Sequence, residues 1–267
     1  MLAPAASTPR PRPDGQAPTL DELVRAAGIS LDPEHLDRLK RYRDLLFKQN
    51  QSTNLTAVRD LPSIERRLIL ESFRLIAPLR ALPIINDTRP QSLVDIGTGG
   101  GLPGMVLAIA CPDLNVFLLD ATGKKVAFLD LAIGELGLGN VVTIHARAEE
   151  IGHRPRFRGG FDVVTARAVS SLPALFELGL PLLRVGGSLL LPKGVDIAEE
   201  LTAADRAAEI LGGKIVDTGM LPDLGSTIET RLVVVRKMIA TPPAYPRRAG
   251  IPARSPLGSN RIGQATS

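Results

Sequence analysis

Two carboxylates and a run of alternate glycines are the residues here whose types and spacing point to chemistry. Asp95, Gly97, Gly99 and Gly101 stand in "LVDIGTGGGLPG" (93–104), directly after a short apolar run, and Asp120 closes the next run, "VFLLD". Glycines let the backbone turn through left-handed conformations and come nearer to a ligand than a Cβ permits. A carboxylate at the end of the second strand can accept both hydroxyls of a ribose. A Walker P-loop is excluded at Gly123-Lys124, which has Leu118 at the required glycine and Lys125 in place of Ser or Thr. The dinucleotide pattern GxGxxG starting at Gly97 and Gly99 meets Leu102 where its third glycine belongs.

The pattern Asp-x-Gly-x-Gly-x-Gly followed by Asp120 suits a compact amino-acid moiety joined to adenosine. That is the S-adenosylmethionine (SAM) site of a class I methyltransferase. The plainer reading is a tight strand-to-helix turn in which the acids only cap backbone amides. After the third apolar run, "HARAEE" places Ala148 and Glu149 where an adenine would lie; without the glycine loop, Glu149 and Glu150 would read as acids favouring a helical start. Arg167 at the end of the fourth run could orient SAM or a substrate, or make a strand-end salt bridge, and Lys193 in "LLLPKG" is read the same way.

The loop after the fourth run, "TARAVSSLP", has neither the Asp/Asn-Pro-Pro-aromatic of exocyclic amine methylation nor a cysteine nucleophile for pyrimidine C5. Cys111, in "AIACPD" at the far end of the helix leaving the glycine loop, reads as a buried thiol. A target with a free lone pair, such as guanine N7, needs neither base nor covalent step and turns transfer into an alignment problem. His35, His145 and His153 have no metal-ligand spacing, so no metal is expected.

These residues must be positioned by alternating elements. The runs 93–97, 116–120, 141–146, 161–166, 188–192 and 231–235 are continuous rather than alternating, which predicts strands buried on both faces of a mainly parallel sheet flanked by helices, a Rossmann-like α/β fold. Before them, Thr19 and Glu22 form a capping box for a helix stopping near Gly28. Asp32 and Pro33 open a second helix with Leu36, Leu39, Tyr42 and Leu46 on one face, and a third is predicted from about 62 to 79. The organisation expected is a Pro-rich disordered start (1–18), a helical N-terminal cap (19–90), a SAM-binding domain (91–240) and a disordered basic tail (241–267).

Charge sharpens this division. The net charge is +4, and residues 241–267 alone carry Arg247, Arg248, Arg254 and Arg261 with no acid, so the basic balance lies in the tails. Such a tail could follow a polyanion or be an inert extension. No apolar run approaches the ~20 residues of a membrane helix. The single cysteine excludes an internal disulfide and suits a reducing cytoplasm, where a soluble monomer is expected.

Taken in order, "NLTAVRD", "DIGTGGGLPG", "LLDATGKKVAFL", "ARAEE", "TARAVSSL", "PKG" and "RLVVV" resemble the ribosomal small-subunit methyltransferase G family over roughly residues 20–237. The resemblance implies SAM-dependent methylation of guanine N7 in the decoding-region loop of 16S rRNA, on free rRNA or the small subunit. It implies SAM contacts at Gly97, Leu102, Asp120, Ala148, Glu149 and Arg167, and puts Asn54, Lys193 and Arg231 on the RNA side. The family's "WN…YNLT" is "QNQSTNLT" here, with Gln49 and Thr53 replacing aromatics, and its "RHILDS" is "RLILES", with Leu68 and Glu71. These departures leave the SAM residues intact and alter the cap. A small-molecule SAM methyltransferase and a non-catalytic RNA-binding module that retains SAM remain the alternatives.

Overall fold

The computed structural model describes residues 18–83, 91–167, 170–226 and 228–258. The chain opens with α1 (Leu20–Ala26), whose Thr19–Glu22 capping box forms as the sequence predicts, and α2 (Pro33–Thr53), which ends on Asn54 in the left-handed region. The third helix is not continuous. It runs as α3 (Leu61–Ile64), a π-helical segment (Glu65–Leu70), α4 (Glu71–Phe73) and α5 (Ile76–Arg80). The extra residue per turn of the π segment lets Glu65, Leu68, Ile69 and Leu70 all turn inward.

Strands and helices then alternate: β1 (Ser92–Ile96), α6 (Gly104–Ala110), β2 (Asn115–Asp120), α7 (Gly123–Leu136), β3 (Val141–His145), α8 (Ala148–Ile151), β4 (Phe161–Ala166), α9 (Leu172–Gly179), β5 (Leu183–Lys193), α10 (Ala198–Leu211), β6 (Gly213–Asp217), β7 (Arg231–Lys237) and α11 (Ile251–Arg254). The sheet order is β3-β2-β1-β4-β5-β7-β6. The pairs β1–β2, β1–β4, β2–β3 and β4–β5 are parallel, and β7 runs antiparallel to both β5 and β6. The order reverses direction between β1 and β4, so a crevice opens beyond their C-terminal ends.

Both faces of the sheet are covered, which is why the strand runs are continuous. Leu93 packs into one core with α6 and the cap, while Val94 and Ile96 pack into a second core with α9 and α10. The cap is no appendage: Leu20, Leu39, Tyr42, Leu46 and Phe73 belong to the same apolar cluster as Met105 and Val116. Tyr42 is fully buried and donates its hydroxyl to the Gly100 carbonyl at 2.7 Å. Tyr42→Phe, which orphans that buried carbonyl, is expected to lower stability by about 1–3 kcal/mol in urea unfolding.

The expectation of a disordered tail from 241 is corrected for residues 241–258. This segment is docked against the sheet domain, with Arg247 paired to the fully buried Glu177 of α9 at 2.6 Å. Arg247 is therefore neutralised internally, whereas Arg248 and Arg254 stay exposed. The expected disordered start lies outside the described residues, apart from Pro18, and Arg261 also lies outside them.

Candidate functional site

Asp95 sits near the end of β1, the central strand of the parallel part, with no solvent exposure. One oxygen, Oδ2, accepts from Thr98 Oγ1 at 2.6 Å and from the Gly104 amide at 2.9 Å, tying together the two ends of the glycine turn. The other, Oδ1, is buried and has no partner among the described residues. Burial pushes the carboxyl up to about 6, against the pull of Thr98, Gly104 and the Arg167 charge.

Gly97, Gly99 and Gly101 all take left-handed φ values, +65°, +62° and +100°. The structure divides the glycines by what fills the space beside them. A Cβ on Gly100 would lie 2.7 Å from Leu46 Cδ1, and one on Gly99 would lie 3.3 Å from the Leu55 carbonyl, so the cap itself packs onto this bare backbone. Gly100 and Gly101 are buried, whereas Gly97 is exposed and Gly99 half-buried. Gly97 and Gly99 thus keep accessible backbone, whereas Gly100 and Gly101 are covered by protein.

Most amides of the turn are used internally. Gly97 and Thr98 donate to the Leu119 carbonyl, Gly101 and Leu102 to the Thr98 carbonyl, and Gly99 to Asp120 Oδ2 at 3.0 Å. A phosphate cradle needs such amides facing outward, so the arrangement opposes the nucleotide-phosphate readings. The carbonyls of Gly97 and Gly99 accept no hydrogen bond among the described residues. The turn therefore offers acceptors, suited to a cationic group. Asp120, mostly buried, has one further bond, from the Thr122 amide to Oδ1 at 2.8 Å, so its carboxylate keeps lone pairs for a ligand.

Ala148 is buried at the start of α8, and Glu149 beside it accepts from the Gly250 amide at 2.9 Å. Arg167 follows β4 and lines a cavity of about 540 Å³ between the cap and the ends of β5 and β7, together with Arg67, Leu68, Glu71, Pro103 and Lys193. Its one hydrogen bond among the described residues is long, 3.4 Å to the Arg67 carbonyl, so the alternative reading of a strand-end salt bridge finds no partner there. Burial lowers its pKa, against the opposing pull of the Asp95 and Glu71 carboxylates. Arg167 thus couples the cavity electrostatically to the carboxylate of the turn.

Lys193 lines the same cavity, with Nζ shared between Glu200 (3.1 Å) and the Ser170 carbonyl (3.2 Å). Asn54 is exposed at the end of α2, outside the cavity lining, where its side-chain oxygen accepts from Arg59. Arg231, also outside it, donates to the Val195 and Thr218 carbonyls and holds loops together. Gln49 and Thr53 bond to each other along α2 at 2.8 Å.

Sequence reasoning missed two cap features. Buried Asn50 takes the Thr56 amide and donates to the Val58 carbonyl, shaping the loop that lines the cavity. Glu71 and the nearly buried Arg74 pair at 2.8 Å, and Glu71 also accepts from Ser226 and Thr230, locking the cap to the strand-entry loop of β7. The i,i+3 spacing of Glu71 and Arg74 was the only local signal for this network.

A seven-stranded sheet of this order, with a carboxylate-pinned glycine turn at its switch point, defines a class I methyltransferase fold. Among solved structures, a mutant of MtNAS in complex with S-adenosylmethionine shares this fold at a TM-score of 0.50 and 16% identity, covering 83% of this chain and 84% of that one. A family model described as rRNA small subunit methyltransferase G matches residues 35–222. Proteins named ribosomal RNA small subunit methyltransferase G are 41% identical in Acetivibrio thermocellus and 42% in Roseiflexus castenholzii, each over 89% of this chain and 95% and 100% of their own lengths. The chain belongs to the rRNA small subunit methyltransferase G family.

Among the described residues there is no group of His, Cys, Asp and Glu able to hold a metal ion, and no helix long and apolar enough to cross a membrane.

Proposed function

We propose that the protein transfers the methyl group of SAM to N7 of a guanine in the decoding-region loop of 16S rRNA. The observation that carries this reading is a turn that offers carbonyls and a buried carboxylate oxygen, rather than amides, beside a cavity whose lining includes Arg67, Arg167 and Lys193. These groups fit SAM. The Gly97 and Gly99 carbonyls and Asp95 Oδ1 accept from its ammonium, Asp120 takes the ribose hydroxyls, and Ala148 with Glu149 borders the adenine. Leu102, whose amide is already used, contributes an apolar wall.

Bound there, SAM supplies a methyl group on a sulfonium, an electrophile that needs only an aligned lone pair. The chain's own task is then to deliver and hold the acceptor. Arg67, Arg167 and Lys193 attract the RNA backbone into the cavity, and Leu68, Pro103 and the Thr56–Val58 wall border the base. Asn54 acts through the turn that shapes this wall. Glu71 is fully engaged by Arg74, Ser226 and Thr230, and Lys193 is held by Glu200, so neither is poised as a general base. That favours an acceptor such as guanine N7, whose lone pair is already free.

Arg167→Gln is expected to lower the single-turnover transfer rate about tenfold, the loss of one charge-assisted contact. An unchanged rate would remove Arg167 from the reaction. The proposal as a whole is tested with methyl-labelled SAM and small subunits lacking the modification. Label in 16S rRNA supports it. Label that appears only on a small molecule, or SAM binding without any transfer, would favour the two alternative readings.

A further inference from the structure

The docked segment 241–258 is held by α9 and α10 and by the elements around α8. Arg158, in the loop between α8 and β4, donates to the Thr241, Pro242 and Tyr245 carbonyls at 2.8, 3.1 and 2.8 Å. His153 Nε2 lies 2.6 Å from the Pro246 carbonyl. The Pro246 ring covers Gly152, at the end of α8, so closely that a Cβ there would lie 2.7 Å from it. Next along, Arg247 is locked onto Glu177, and the Gly250 amide then donates to Glu149 Oε1. The path leaves a cavity of about 610 Å³ between α8 and the segment, lined by Glu149, Glu150, His153, Arg247 and Arg248 among others.

The four residues of α8 are far too few to hold a helical conformation unaided. Their position is set by what packs on them: the second core, through Ala148 and Ile151, on one side and this segment on the other. Gly250 has a φ of +79° with nothing closer than 3.6 Å to a would-be Cβ, so conformation rather than space demands glycine where the amide must point at Glu149.

We propose that residues 246–251 form a strap that positions Glu149 and α8 for the adenine end of SAM, with the Gly250 amide as the positioning group. The inference rests on the assignment of Ala148 and Glu149 to the adenine. Linkage then makes a reciprocal demand: if the docked strap tightens SAM binding by some factor, bound SAM must tighten strap docking by the same factor.

The test uses the full chain, read by hydrogen exchange and by SAM-binding calorimetry. Saturating SAM is expected to slow amide exchange of residues 246–254 about tenfold. Adenosine alone reproduces this protection and methionine alone does not. Gly250→Ala, which strains the turn without a clash, weakens SAM binding about five- to tenfold. A chain ending after Arg248, which keeps the Arg247–Glu177 pair and the Arg158 contacts, weakens it at least as much. Equal strap exchange with and without SAM, with affinities within twofold in both variants, would overturn the proposal and leave the strap a structural closure. Protection by methionine rather than adenosine would also overturn it. A folded wild-type chain that fails to bind SAM would instead remove the cofactor assignment, and the strap with it.

Discussion

Replacing Arg247 by alanine is expected to destabilise the fold by about 3 kcal/mol, roughly 10 °C in melting temperature for a domain of this size. Glu177 is completely buried on α9, and its carboxylate takes the Arg247 backbone amide at 2.7 Å and guanidinium bonds of 2.8 and 2.6 Å. Removing the guanidinium leaves a buried charge with one donor instead of three. The guanidinium itself is partly solvated, which holds the expected loss near the low end of the range for breaking buried pairs. Adding Glu177→Gln to Arg247→Ala should recover part of the loss, because the buried group is then neutral. Urea unfolding of the two single variants and the double variant measures the coupling. Strict additivity would mean that the pair is not what holds the segment down.

The second large effect is on SAM affinity. Asp95→Asn is expected to weaken SAM binding about a hundredfold at neutral pH while leaving the SAM-free protein at least as stable as the wild type. Folding raises the carboxyl to about 6 from an ordinary value of 3.8, chiefly through burial. The folded chain thus keeps a proton that the unfolded chain releases between about pH 4 and 6. This group's contribution therefore falls as pH rises through that window and stays unfavourable above it, by on the order of 3 kcal/mol. Asparagine removes the charge, and its oxygen can still take the Thr98 and Gly104 donors. It cannot accept through the atom that replaces Oδ1. The ionised carboxylate is also the form that suits a cationic ligand, so wild-type SAM affinity should rise from pH 5 to 7, and the variant should show a flat profile. A flat wild-type profile would disconnect Asp95 from the ligand.

Much of this site is legible in the sequence because its logic is local. The capping box at Thr19 and Glu22, the continuous strand runs, the turn after β1 and the carboxylate closing β2 each declare themselves within a few residues. What escapes has distant causes. The tail reads as disordered because its composition offers nothing to bury, yet it is ordered by Glu177 and Arg158, 70 or more residues away. The run of glycines reads as room for a ligand, but only the tertiary structure reveals that Leu46 and Leu55 occupy part of that room. The π segment breaks a periodicity that otherwise reads as one helix, and the short strand β6 is mostly exposed, so it carries no apolar run. Asn54, matched to the family by motif, is exposed and engaged in a turn, a placement that spacing alone does not reveal.

The most direct test of the account is the chemical position of the transferred methyl. Small subunits lacking the modification are incubated with the protein and SAM, and the 16S rRNA is then reduced and treated with aniline, which cleaves the chain at N7-methylguanine. Scission is expected at one guanine in the decoding-region loop, dependent on SAM and about tenfold slower to appear with Arg167→Gln. A methyl group incorporated without scission, on an exocyclic amine, a ring carbon or a ribose, would contradict a site that supplies alignment and no base.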